Sequence, residues 1–189
     1  MILGITGGTG CGKTTLLACI RERGGVVLDC DEIYHALLKT DEKLLAAIED
    51  RFPGTVEGGV LQRKKLGSIV FPDAQALLDL NAITHKAVKE AVLRRLEPKP
   101  TLAAIDAIAL FEGGLAELCD ATVAVCAPVE DRVRRLMARD GISESYARSR
   151  IGAQHENAWF REHCDYALNN DDTAEQFRCK CEELLEKLL

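Results

Sequence analysis

The chain has 189 residues, enough for one full hydrophobic core with a small appended lobe. Hydrophobic residues make up 47% and charged residues 29%, as in an ordinary globular protein, and a net charge of −6 argues against a surface built for nucleic acid. No run approaches the roughly 20 apolar residues of a membrane span, the start lacks a signal peptide's basic region, and eight cysteines without a CxxC pair read as reduced, cytoplasmic thiols.

ILGI (2–5) predicts a short buried parallel strand. Leu16, Leu17 and Ile20 recur at helical spacing, which predicts a helix from Lys13 to about Arg23, ended by Gly24 and Gly25. VVL (26–28) is a second strand, closed by Asp29. LAAIDAIAL (102–110) and ATVAVCA (121–127) read as further buried strands, and DYALN (165–169) as a fifth. Helical patterns fill 31–50, 74–97, 129–140, 143–160 and 173–188. The last opens on TAEQ, a capping box of Thr173 and Gln176. Strand and helix alternating in this way predict an α/β fold, a mostly parallel five-stranded sheet with helices on both faces. Two stretches exceed what that sheet needs. The expected organisation is one domain with a core at about 1–31, 101–127 and 161–189, a helical lobe at 32–100 and a helical lid at 128–160.

Gly7 to Thr14, GGTGCGKT, matches the phosphate-loop pattern GxxxxGK[ST] between a strand and a helix, where the mechanism needs it. Glycine permits the torsions that turn successive N–H groups inward, and the helix N-terminus adds unpaired donors and partial positive charge. Gly8, Thr9, Gly10, Cys11, Gly12, Lys13, Thr14 and Thr15 are therefore the expected ATP-binding residues. Lys13 reaches the β- and γ-phosphates, and Thr14 offers its hydroxyl to Mg²⁺. Cys11 lies beside a helix N-terminus, where thiols become reactive, so oxidation there is expected to block ATP binding. The chain lacks the Asn-Lys-x-Asp motif of a GTPase.

A kinase also needs a carboxylate near its acceptor and a means of closing. Asp29 and Asp31 follow strand two, at the carboxyl edge where α/β sheets place ligands. Asp31 suits a general base, and Asp29 a ligand of Mg²⁺. From spacing alone, Asp31 serves equally well as a helix cap. In EDRVRRLMARDG (130–141), Arg132, Arg135 and Arg139 share one helical face. Such a face is either a solvated basic surface or a lid that brings guanidinium groups to phosphate and shuts out water.

Taken together these motifs resemble the dephospho-coenzyme A kinase family over nearly the whole chain. The resemblance rests on TGGTGCGKT (6–14), Asp29-Cys30-Asp31, LQRKKLGSIVF (61–71), Asn81 to His85, Leu110-Phe111-Glu112, Arg135 to Gly141, Ala153-Gln154 and Asn169-Asn170, in that order. It implies transfer of the γ-phosphoryl of ATP to the ribose 3′-hydroxyl of dephospho-CoA, with ATP and Mg²⁺ required. Asp31 is then the base, and Arg63 and His85 belong to the acceptor-binding lobe. Glu112 lies on the acceptor side, Arg139 reaches over the ATP phosphates, and Asn170 meets the adenine edge. Lys86 stands where the family usually has proline, and Ile108-Ala109-Leu110 where it has Pro-Leu-Leu; both departures fall in the acceptor half. The competing expectations are a P-loop kinase of nucleosides or nucleotides and a slow ATP-hydrolysing switch. The expected partner is a small molecule, with no nucleic acid or membrane, for a monomer or weak homo-oligomer.

Overall fold

β1 (Ile2–Thr6) takes the centre of the sheet because its apolar side chains are buried on both faces. It is followed by α1 (Lys13–Glu22), β2 (Val26–Asp29), β5 (Ala103–Asp106), β6 (Ala121–Cys126) and β7 (Tyr166–Asn169), and the sheet order is β2-β5-β1-β6-β7. β1 pairs in parallel with β5 and with β6, in registers that set Ile5 beside Asp106 and beside Val123, and β6 pairs in parallel with β7. The structure, a computed structural model, describes all residues from Met1 to Leu189.

The alternation along β6 sends its side chains to two cores. Val123 and Val125 join Leu3, Ile5, Leu16 and Ile20 with residues of α9 (Ala174–Leu188), among them Phe177 and Leu185. Ala124 and Cys126 face the other way, onto Phe160 of α8 (Asn157–His163). Helices thus cover both faces. At the start of α9 the Thr173 side chain and Gln176 satisfy one another's backbone donors, as the TAEQ pattern requires.

Two compact units divide the chain: Met1–Leu28 with Lys99–Leu110 and Leu115–Leu189, and Asp29–Pro98 with Phe111–Gly114. The first holds the sheet together with α6 (Val129–Asp140) and α7 (Glu144–Gly152), a hairpin closed by Val133, Leu136, Ala147 and Ile151. The second contains α2 (Cys30–Thr40), α3 (Glu42–Arg51), a hairpin of β3 (Val56–Glu57) and β4 (Val60–Leu61), α4 (Arg63–Val70) and α5 (Ala74–Leu96). In it the Glu49 carboxylate accepts the N–H groups of Gly54 and Val56, fixing the turn between α3 and β3.

Several expected boundaries move, each for a local reason. Helix 31–50 is two helices, because Asp41 sits in the extended region and its carboxylate accepts the N–H groups of Lys43 and Leu44, starting α3. Helix 143–160 likewise divides into α7 and α8. The strand expected at 102–110 stops at Asp106; Ala107 to Leu110 after it are buried or half-buried in a turn that hydrophobicity alone does not distinguish from strand. Gly58 and Gly59, both at positive φ, make the tight turn of a hairpin that the expected helical lobe lacked. No helix is long and apolar enough to cross a membrane. All eight cysteines are free thiols.

Candidate active site

The glycine loop leaves β1 at its carboxyl end and turns directly into α1. Gly12 holds the N-cap position at φ 95°, a left-handed conformation open to glycine, and no side chain caps the helix. The amides of Lys13 and Thr14 therefore remain available to an anion, that of Thr15 bonding the Gly12 carbonyl, with the helix dipole directed toward it. A Cβ on Gly12 would stand 2.2 Å from Asn170 Nδ2, so close packing also demands glycine there. Lys13 folds back over the loop, its Nζ donating to the Gly7 carbonyl at 3.0 Å and lying 3.8 Å from Asp106 Oδ1. Thr14 is exposed and Thr15 half-buried.

Asp106 is the site residue that the sequence reading missed. It ends β5, the neighbour of β1, and shares a register position with Ile5. The signal was present: an apolar run, LAAI, ending in an acid. Reading 102–110 as one strand placed Asp106 in its middle and hid it. The hydroxyl of Thr14 and the carboxylate of Asp106 are hard oxygen donors from adjoining elements. This donor set suits Mg²⁺, which takes one or two protein oxygens and keeps several waters.

The arginine stripe does not behave as one unit. Arg132 is 2% exposed; its Nε donates to the Thr9 carbonyl at 2.9 Å and its Nη2 to Gln154 Oε1 at 3.3 Å. Arg135 donates to the carbonyls of Gly10, Cys11 and Asn170 and to Asn170 Oδ1. Arg139 lies exposed, bound through two hydrogen bonds to Asp140, whose carboxyl is pulled down to about 2 by Arg139 and then Arg150. Two of the three arginines thus hold the loop from beneath and the third stands away from it. Asn170 is similarly engaged, Nδ2 donating to the Cys11 carbonyl at 2.8 Å while Oδ1 receives Arg135. Cys11 is 0% exposed, packed in the core with Leu16 and Phe177. The expected reactive thiol is therefore closed to oxidants by burial.

In the second unit, Asp29 rather than Asp31 caps α2: Asp29 Oδ1 accepts the N–H groups of Asp31 at 2.9 Å and Glu32 at 3.0 Å. One oxygen of Asp29 is thereby committed to the cap, and Asp31 stands exposed in the first turn. Arg63 opens α4 and lines a cavity of about 210 Å³ with Tyr34, Leu38, Leu61, Leu66 and Phe71. Burial pushes the Tyr34 phenol up, with the Arg63 charge opposing it, so Tyr34 stays a neutral donor. His85 is half-buried midway along α5, and Glu112 is exposed in the 111–114 segment. A larger open groove of about 930 Å³ beside α3 and α5 mixes Lys43, Lys86 and Arg94 with Asp41, Glu42 and Glu90. Its opposed charges offset, so it has no net preference for an anion.

Comparison with known proteins shows the family and the fold. A family model described as dephospho-CoA kinase matches residues 1–176. The chain is 36% identical to the dephospho-CoA kinase of Syntrophotalea carbinolica, covering 100% of this chain and 92% of the relative. It is 36% identical to that of Geobacillus kaustophilus, covering 94% and 92%. Among solved structures, TT1252 from Thermus thermophilus superposes with a TM-score of 0.82 at 33% identity, covering 100% of this chain and 98% of that one. Shikimate kinase from Bacteroides thetaiotaomicron shares the fold, with a TM-score of 0.60 at 16% identity and coverage of 100% and 98%.

Proposed function

The chain belongs to the dephospho-CoA kinase family, and from that premise we propose how its own residues carry the transfer. The reaction moves the γ-phosphoryl group of ATP to the ribose 3′-hydroxyl of dephospho-CoA, giving CoA and ADP. It asks little covalent chemistry of a protein; positioning and charge supply most of the rate. The observation that carries the assignment of roles is the uncapped start of α1, with Lys13 folded over the glycine loop.

The loop from Gly8 to Thr15 cradles the triphosphate, chiefly through the amides of Gly10, Gly12, Lys13 and Thr14, since those of Thr9, Cys11 and Thr15 already bond Gln154, Gly8 and Gly12. Lys13 leaves the Gly7 carbonyl to meet the β- and γ-phosphates, and Asp106 holds it in reach when no phosphate is present. Mg²⁺ would be held by Thr14 and Asp106, an oxygen role we assign to Asp106 in place of Asp29, whose carboxylate builds the α2 cap. When bound, the ion would neutralise charge on the phosphates. Asn170, with both ends of its amide engaged, supports the loop rather than reading adenine. Arg139 is the stripe member left to meet the transferring phosphate, its side chain exchanging Asp140 for it.

On the acceptor side, Asp31 orients the 3′-hydroxyl and takes its proton. The apolar cavity beside Arg63 suits the uncharged arm of dephospho-CoA, with the Arg63 guanidinium meeting its diphosphate. His85 and Glu112 complete that side. The acidic net charge favours a small-molecule acceptor over a polyanion, and we read the enzyme as cytoplasmic and monomeric or weakly self-associating.

The test is ADP release from ATP and Mg²⁺ with and without dephospho-CoA, with CoA followed by mass. ADP and CoA rising one for one supports the reading. ADP release indifferent to dephospho-CoA overturns it.

A further inference from the structure

A buried cation usually sits against a carboxylate, because an uncompensated charge in the interior is strongly disfavoured. Arg132 departs from that rule. The residue is 2% exposed, and both acceptors of its guanidinium, the Thr9 carbonyl and Gln154 Oε1, are neutral oxygens. Gln154 Oε1 in turn accepts the Thr9 N–H at 2.8 Å. The three residues form a closed ring in which both backbone polar groups of Thr9 are fixed, the carbonyl by Arg132 and the N–H by Gln154.

Neither partner is free to drift. Arg132 continues α6, its N–H donating to the Pro128 carbonyl at 3.1 Å, and the Gln154 N–H donates to the Ile151 carbonyl at 3.2 Å in the turn that ends α7. The two helices are joined through Val133, Leu136, Ala147 and Ile151, and Arg148 of α7 pairs with Glu130 of α6. The ring also fills the space behind the loop. A Cβ on Gly8 would stand 2.2 Å from Arg132 Nη2 and 3.1 Å from Gln154 Oε1.

We propose that Arg132 is a positioning residue whose un-neutralised charge acts on the phosphates of ATP through the Thr9 peptide, and that Gln154 is an amide so that this charge is not cancelled. The proposal rests on the nucleotide reading of the glycine loop. A carboxylate at Gln154 would hold Thr9 and Arg132 in the same geometry and give Arg132 an ion pair. What it would remove is net positive charge beneath the loop, in an interior where screening is weak. The compensating negative charge for Arg132 instead arrives with the triphosphate, so the energetic penalty of the buried cation favours binding.

Gln154→Glu and Arg132→Gln test this, with ATP affinity by calorimetry, thermal unfolding, and kcat and KM for each substrate. Gln154→Glu is expected to keep or raise Tm while weakening ATP at least about tenfold, the scale of one charge-assisted contact. Arg132→Gln retains a donor for the Thr9 carbonyl and is expected to weaken ATP similarly, with a smaller fall in kcat at saturating ATP and the KM for dephospho-CoA little moved. If Arg132→Gln does not fold, Gln154→Glu decides alone, since it deletes no contact. A folded Gln154→Glu protein that binds ATP as tightly as wild type overturns the proposal. Wild-type protein that binds no ATP removes the nucleotide reading itself, which is a separate failure.

Discussion

Lys13 and Asp106 meet at the carboxyl ends of adjoining strands, Nζ 3.8 Å from Oδ1, with side chains only 14% and 16% exposed. The pair is too long for a strong hydrogen bond and close enough to hold the lysine's charge over the loop. Asp106→Asn keeps size and polarity but removes the charge. It is expected to lower kcat by about 10²-fold or more, in line with the loss of one preorganised charge at a transition state. The KM for dephospho-CoA should move little. Steady-state rates across a Mg²⁺ series check it, and near-normal kcat at all concentrations would withdraw Asp106 from the site.

Asp31 lies in the first turn of α2 and is exposed, because Asp29 takes the cap. Asp31→Asn is expected to reduce kcat by about 10²- to 10⁴-fold, the usual worth of a general base. ATP affinity should stay close to wild type. Turnover within a few-fold of wild type would show that the proton leaves by another route.

Arg63→Ala removes the charged edge of an otherwise apolar cavity. The KM for dephospho-CoA should rise by about tenfold or more, as for a lost hydrogen bond to a charged group, with the KM for ATP unaffected. Equal changes in both values would point to a disturbed fold instead.

Glu49 contributes to the pH dependence of the second unit, beside Asp79, which Gln75 and then Arg51 also hold below its usual range. The N–H of Gly54, then that of Val56, holds the Glu49 carboxyl below the usual 4.5. A depressed folded value means the stabilisation is complete above 4.5 and is lost as pH falls through the lowered value. Glu49→Gln should therefore lower Tm at pH 7, and the gap from wild type should narrow as the solution is acidified. A constant gap from pH 7 to pH 3 would assign the effect to shape rather than charge.

The parts of the site legible in sequence were those whose chemistry is local. GGTGCGKT carries its own torsional and charge requirements within a few residues, and TAEQ its own hydrogen bonds. Asp106 was hidden because a strand's end is set by the neighbours it pairs with, not by its own hydrophobicity. The break at Asp41 had a local signal, an aspartate before a helical run, but the apolar spacing continued across it. For the arginines, helical spacing grouped Arg132, Arg135 and Arg139 on one face. It gave no sign that two of them turn inward to loop carbonyls 123 to 125 residues away while Arg139 pairs with its neighbour. Gln154 fell within a recognised motif, yet its hydrogen bond to Thr9 exists only once α7 has been placed.

The position of β1 has a consequence for how the protein is made. Its partners are Ala103–Asp106 and Ala121–Cys126, so the first strand to leave the ribosome has no mate until more than half the chain has followed. At about 5 to 20 residues per second, this is a wait of several seconds or more. The Asp29–Pro98 segment, which makes up its compact unit but for Phe111–Gly114, emerges and can collapse during that interval. Cellular ATP therefore has nothing to grip on a young nascent chain. The nucleotide can stabilise only a molecule whose second half has already been translated.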